Sequence, residues 1–85
     1  MKQIKIYANG HKEWYLNSKL HREDGPAIEY ANGDKCWYLN GKLHREDGPA
    51  IEYADGHKKW FYQGKEYEAK NNEEFLRLMN IRAFL

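Results

Sequence analysis

Eighty-five residues carry 14 Lys and Arg against 13 Asp and Glu, a net charge of +1. That balance excludes the one-sided field of a polyanion mimic or of a general nucleic-acid binder. One cysteine excludes an internal disulfide, and no run resembles a signal peptide or a membrane span, so a single cytoplasmic domain is expected.

Residues 1–7 read as a first β-strand, although Ile4 and Ile6 are out of phase with Ile28 and Tyr30, which suggests a register change at the sheet edge. Residues 7–29 are then repeated almost letter for letter as residues 30–52, the copies differing only at His11/Asp34, Glu13/Cys36 and Ser18/Gly41. A third copy opens at Tyr53 and loses the pattern after Gly64. Such a period means one supersecondary unit stacked on copies of itself, each burying its apolar side against the next. Cys36 stands where the other copies have Glu13 and Lys59, so an exposed free thiol is expected there.

Short alternating stretches predict strands rather than helices. Ile28 and Tyr30 share one face; Trp37 and Leu39 share a face opposite Cys36 and Tyr38. Asn9-Gly10, Asn32-Gly33 and Asp55-Gly56 predict tight type I′ hairpins. The longer connections, residues 17–26 and 40–49, could hold a short third strand at residues 42–44. An odd number of strands per repeat would reverse the chain from copy to copy and put identical residues in different surroundings. Two strands and a structured loop are therefore expected, with Pro26 and Pro49 opening a strand.

The ending changes character. Asn71-Asn72-Glu73-Glu74 predicts an N-cap and an acidic first turn, and Phe75, Leu76, Leu78, Met79 and Ala83 recur with helical spacing, Arg77 and Arg82 interleaved. A helix over about 72–83 would cover the last rung. The expected fold is all-β: a single-layer antiparallel β-meander of 23-residue repeats, six or seven strands, with a C-terminal capping α-helix. One domain spans 1–85: strand 1–6, repeats 7–29, 30–52 and 53–69, and helical segment 70–85.

Trp37-Tyr38-Leu39-Asn40-Gly41-Lys42-Leu43-His44, followed by Asp47-Gly48 and by Tyr53-Ala54-Asp55-Gly56, resembles a divergent MORN repeat of the kind found in bacterial and phage proteins. Residues 14–33 and 60–64 share the features. The family pattern has His-Gly-x-Gly where His44 is here followed by Arg45-Glu46-Asp47-Gly48, a longer, charged loop. The resemblance implies an elongated, non-enzymatic contact surface, with lipid-headgroup binding as an alternative.

His21, Arg22, Glu23 and Asp24, with their twins His44, Arg45, Glu46 and Asp47, are the most reactive-looking residues. Equivalent positions two strands apart are separated by about 9–10 Å, too far to share one metal ion. A ladder of loops at one sheet edge instead suggests a polar contact strip for a protein partner. Trp14, Trp37 and Trp60 form a ladder read as core, while Tyr15, Tyr38 and Phe61 form a second stripe that either lies under the helix or is a binding patch. Lys12, Lys35 and Lys58 beside these aromatics would suit single-stranded nucleic acid, but the balanced charge argues against it. No phosphate loop, nucleophile elbow or zinc-type spacing appears. The expected function is a non-catalytic protein-binding module without metal or cofactor, such as a small phage-type inhibitor or adaptor that occludes a host protein. The alternatives are a lipid-surface module and, least favoured, a metal-dependent hydrolase; an exposed edge strand could also support a homodimer. Charge reversal at Arg22 and Arg45 is expected to weaken partner binding and leave the fold intact.

Overall fold

A computed structural model describes residues 1–83, and side chains through residue 79. The expected side-chain roles of Arg82 and Ala83, and the segment 84–85, lie outside the described residues. The fold is an antiparallel β-meander closed by one C-terminal helix. Its strands are β1 (Lys2–Ile6), β2 (Lys12–Leu16), β3 (Lys19–Leu20), β4 (Ile28–Glu29), β5 (Lys35–Cys36), β6 (Tyr38–Leu39), β7 (Lys42–Leu43), β8 (Ile51–Glu52), β9 (Lys58–Tyr62) and β10 (Lys65–Tyr67), followed by α1 (Asn72–Ala83). The main sheet runs β1-β2-β4-β5-β8-β9-β10, with β3 on β2 and β6 paired to β7. Principal extents of 44 × 31 × 17 Å describe a flat, elongated body.

The short strand that parity disfavoured does exist, twice, as β3 and β7. Parity survives because β3 and β4 lie end to end along the same edge of β2. Tyr15 and Leu16 pair with Leu20 and Lys19, while Lys12 and Glu13 pair with Glu29 and Ile28. In the first two repeats the return strand is thus one strand interrupted by a loop. Trp14 sits at the interruption: its carbonyl accepts from His21 N at 3.0 Å and its N–H donates to Ala27 O at 2.8 Å. Trp37 does the same with His44 and Ala50, at 3.0 and 2.7 Å. Each repeat keeps two directions, so the copies see equivalent surroundings.

The turn types are exchanged relative to expectation. Two-residue I′ turns join β2–β3, β6–β7 and β9–β10, with Asn40 and Gly41 at φ 51° and 82° and Gln63 and Gly64 at 50° and 84°. At Asn9-Gly10, Asn32-Gly33 and Asp55-Gly56 only the glycine has positive φ. Those are three-residue loops in which Tyr7 O accepts from Gly10 N at 3.0 Å and Tyr7 N donates to His11 O at 2.8 Å. Asn9, Asn32 and Asp55 accept from the backbone N–H two residues on, each at 3.0 Å. Their contribution is this local bond, not tolerance of positive φ.

Ser18 holds φ 67° where its two counterparts are glycines. A side chain in that region costs about 1 kcal/mol, so Ser18→Gly should stabilise the fold by about that much. A thermal melt should rise by roughly 4–8 °C; no rise would mean the first turn is already relaxed.

Nor is there a register change at β1. Lys5 pairs with Glu13 and Ile6 with Lys12, as Ile28 pairs with Cys36 and Glu29 with Lys35. Strand β1 is a return strand without a loop whose apolar pattern is inverted. Ile4 and Ile6 project on the Trp face and remain 55% and 70% exposed.

Cys36 is buried, contrary to the expectation of an exposed thiol. Glu13 and Lys59 occupy the same place on more outlying strands, but Cys36 lies in mid-sheet between Ile28 and Ile51. Burial, and then the nearby Asp34 carboxylate, push its thiol up from the ordinary value, toward the unreactive form.

Helix α1 begins as expected: Asn71 Oδ1 accepts from Glu74 N at 2.8 Å. It lies on the Trp face, where Trp60 Nε1 donates to Asn72 Oδ1 at 2.8 Å and Phe75 is fully buried, edge-on to Tyr67 at 5.8 Å. It does not follow the Tyr15/Tyr38/Phe61 stripe, whose members are half-buried on the opposite face. Among the described residues no helix is long and apolar enough to cross a membrane.

Candidate functional site

The interrupted return strands throw two loops, residues 21–27 and 44–50, out of the Trp face. Between them lies a groove of about 680 Å³, floored by Trp37 and Leu39 and walled by residues 22–26 and 44–47. One repeat earlier a second groove of about 530 Å³ has the equivalent floor, Trp14 and Leu16. Its walls are residues 21–24 and residues 2–4 of β1.

Within each loop the four charged side chains divide into two that point in and two that point out. Arg22 lies over the Trp14 ring at 4.0 Å and donates to Asp24 Oδ1 at 3.0 Å, Pro26 O at 3.1 Å and Glu29 Oε2 at 3.2 Å. Arg45 repeats this over Trp37 at 3.9 Å, donating to Asp47 and Glu52 at 2.9 Å and to Pro49 O at 3.0 Å. A planar fork with several donors suits this task of tying loop carbonyl, carboxylates and ring together. The close approach favours glycine at the loop tip: a Cβ on Gly48 would come within 2.9 Å of the Arg45 guanidinium carbon, which would have to shift.

The histidines are inward as well. His21 Nδ1 accepts from Asn40 N and His44 Nδ1 accepts from Gln63 N, both at 2.9 Å. Each ring therefore holds the I′ turn of the following repeat and carries its proton on Nε2. Backbone bonds from Arg22 N to Tyr38 O at 3.1 Å and from Gly41 N to Leu20 O at 2.8 Å complete that junction.

The exposed members are the acids. Glu23 and Asp24 are 83% and 87% exposed, Glu46 and Asp47 69% and 86%, against 23% and 21% for the two arginines. The hydrogen bond from Arg22, and then its charge, hold the Asp24 carboxyl below the usual range. Of the residues expected to contact a partner, Glu23, Asp24, Glu46 and Asp47 are thus presented, while His21, His44, Arg22 and Arg45 are framework. Tyr15 reaches the second groove, over Trp14, whereas Tyr38 and Phe61 line neither.

Trp37 and Leu39 as a groove floor were not legible in the sequence, because a Trp ladder reads as core. The signal was present in Arg45 lying eight residues on, which implies a guanidinium partner for the ring instead of a second apolar layer.

A second cluster, confined to the first repeat, also escaped the sequence reading. Glu13 Oε1 accepts from Tyr15 OH at 2.7 Å and Tyr7 OH at 3.1 Å, and Glu13 Oε2 meets His11 Nε2 at 2.9 Å. The His11 ring lies between Tyr7 and Tyr30, with centroids 5.0 and 4.8 Å away. His11, then Tyr15, hold the Glu13 carboxyl below its ordinary value, and Glu13 pushes the Tyr15 phenol up to about 12. Cys36 and Lys59 at the equivalent places prevent any copy of the cluster.

The signs follow. Glu13 contributes stability that is present above its unfolded value and lost as pH falls through its lower folded one. Tyr15 contributes stability below its ordinary value of 10, lost as pH rises through about 12. Glu13→Gln should therefore blunt the loss of stability in acid and return the most resistant phenol toward 10 in an ultraviolet titration. An unchanged phenol titration would show that Glu13 does not hold Tyr15.

Among the described residues no three His, Cys, Asp or Glu side chains are grouped so as to hold a metal ion. No protein-family model matches this chain, nor does any curated protein or any solved structure.

Proposed function

We propose that this chain is a non-catalytic, cytoplasmic protein-binding module built of MORN-like repeats, whose contact surface is the groove between its two loops. The observation that carries this reading is the division of roles within each loop. Histidine and arginine are spent on the fold, and the carboxylates beside an aromatic floor are left to solvent. Concave surfaces with a few convergent polar groups are the usual place for recognition. A buried thiol and a net charge of only +1 add no competing chemistry. The size suits a small adaptor or inhibitor that occludes one face of its partner, of the kind phage proteins supply.

Site-specific photocrosslinking in the native host tests this. A crosslinker at Glu23 or Glu46 should trap one protein, and the same group at Lys5, on the sheet's other face, should not. Trapping from Lys5 alone, or from none of the three, would dismiss the groove as the contact surface.

A further inference from the structure

The third copy of the repeat shows how the Trp surface is filled. Its loop sequence is absent: Tyr67 and Glu68 stand where His44 and Arg45 stand in the second copy. Helix α1 lies there instead, with Asn72 accepting from the Trp60 indole at 2.8 Å and Phe75 fully buried. Trp60 is 5% exposed, whereas Trp14 and Trp37 are only half-buried. Gly48 and Pro49, on the side of the second loop that faces this copy, are buried, while Gly25 and Pro26 at the same places in the first loop are half-buried. The chain's own helix therefore occupies the third groove of the array, using an acceptor and an aromatic side chain three residues apart.

The groove over Trp37 also has an indole on its floor, with the Arg45 guanidinium against the ring at 3.9 Å where the third copy has its helix. Among the described residues nothing accepts from the Trp37 indole N–H. Its rim is acidic, whereas the remaining cleft of the third copy is mixed in charge, with Lys58, Lys59 and Lys70 beside Glu66, Glu68 and Glu74. Around Trp37 the rim is Glu23, Asp24, Glu46 and Asp47. These carboxylates favour a basic segment over an acidic one.

Resting on the reading of this groove as a protein contact, we infer that its occupant is a basic partner segment carrying an aromatic anchor. The anchor packs on Trp37, a side-chain carbonyl nearby accepts from the indole N–H, and flanking lysine or arginine meets the four rim carboxylates. In this mode the binding energy is concentrated at the aromatic anchor, while the rim sets sign and salt dependence.

Two capped peptides serve as probes: Lys-Asn-Lys-Arg-Phe-Leu-Arg-Lys, and the same sequence with every lysine and arginine replaced by glutamate. The readout is the three tryptophan indole N–H resonances of the full chain. The basic probe is expected to move Trp37 and to leave Trp60 unmoved, and its binding should weaken with added salt. The double variant Glu23→Gln/Glu46→Gln should weaken it about five- to tenfold with unchanged spectral dispersion. Equal binding of both probes, or a basic probe that leaves Trp37 unmoved, would overturn the inference. If rim crosslinks still trap a protein in that case, the groove stands as a contact surface and only the partner's chemistry is wrong. If they trap none, both readings go together.

Discussion

Phe75→Ala is expected to be the most damaging single truncation, costing about 3–5 kcal/mol. Phe75 is the only side chain among the described residues that is both large and wholly removed from water. Its ring meets Tyr67 edge-on, while Leu76 is 45% exposed and Leu78 and Met79 are only half-buried. An isolated helix of this length is marginal in water, so its order depends chiefly on Phe75, with the Asn72 bond to Trp60 beside it. A domain of this size has roughly 4–13 kcal/mol to lose, and the variant should melt more than about 10 °C lower. Losing α1 also bares Trp60, so its indole N–H resonance should move toward a solvent-exposed position. By contrast Asn71→Ala removes one capping bond and should cost only about 1 kcal/mol. A Phe75→Ala melt within a few degrees of wild type would mean that α1 does not close the array.

How far the sequence led is best seen at particular residues. The period of 23, the hairpin spacing and the cap at Asn71 are local or repetitive signals, and they gave the β-meander and its helix. The two-residue turn lies at a different dipeptide from the expected one, because the second copy holds two Asn-Gly pairs, Asn32-Gly33 and Asn40-Gly41. Asn40-Gly41 closes a two-residue loop, whereas Asn32 uses its side chain to accept from Asp34 N. Nothing local distinguishes them; the flanking pairs Leu39 with Lys42 do. Cys36 was misplaced because comparison of copies assumes equal surroundings, and a finite array has edges. Glu13, with β1 on one side, and Lys59, toward the far end, tolerate charge at a position that Ile28 and Ile51 enclose in the middle. The loops were legible as a pair but not in their polarity. Only the geometry shows that arginine turns inward and the acids outward.

That inward turn changes what an arginine substitution measures. Charge reversal at Arg22 and Arg45 does not test partner binding alone, because both guanidiniums are internal struts. Arg45→Ala is expected to cost about 2–3 kcal/mol. The exposed Asp47 bond adds little, since a pair with one partner 86% in water is worth under about 1 kcal/mol. The larger losses are the stacking on Trp37, about 0.5–1 kcal/mol, and the charged bonds to Pro49 O and to Glu52, which is 35% exposed. Glu52 is not stranded, because Lys35 and Lys58 flank it across the sheet, and this keeps the cost below that of a fully buried broken pair. Arg45→Lys should recover little, since an ammonium cannot lie flat on the ring and reach both oxygens together. Denaturant unfolding of the two variants decides the matter. If Arg45→Lys matches wild type, the loop needs only a positive charge; if both lose stability alike, the guanidinium plane is what holds the wall of the groove upright. Binding tests of the rim should then be made at Glu23 and Glu46, where substitution leaves that plane untouched.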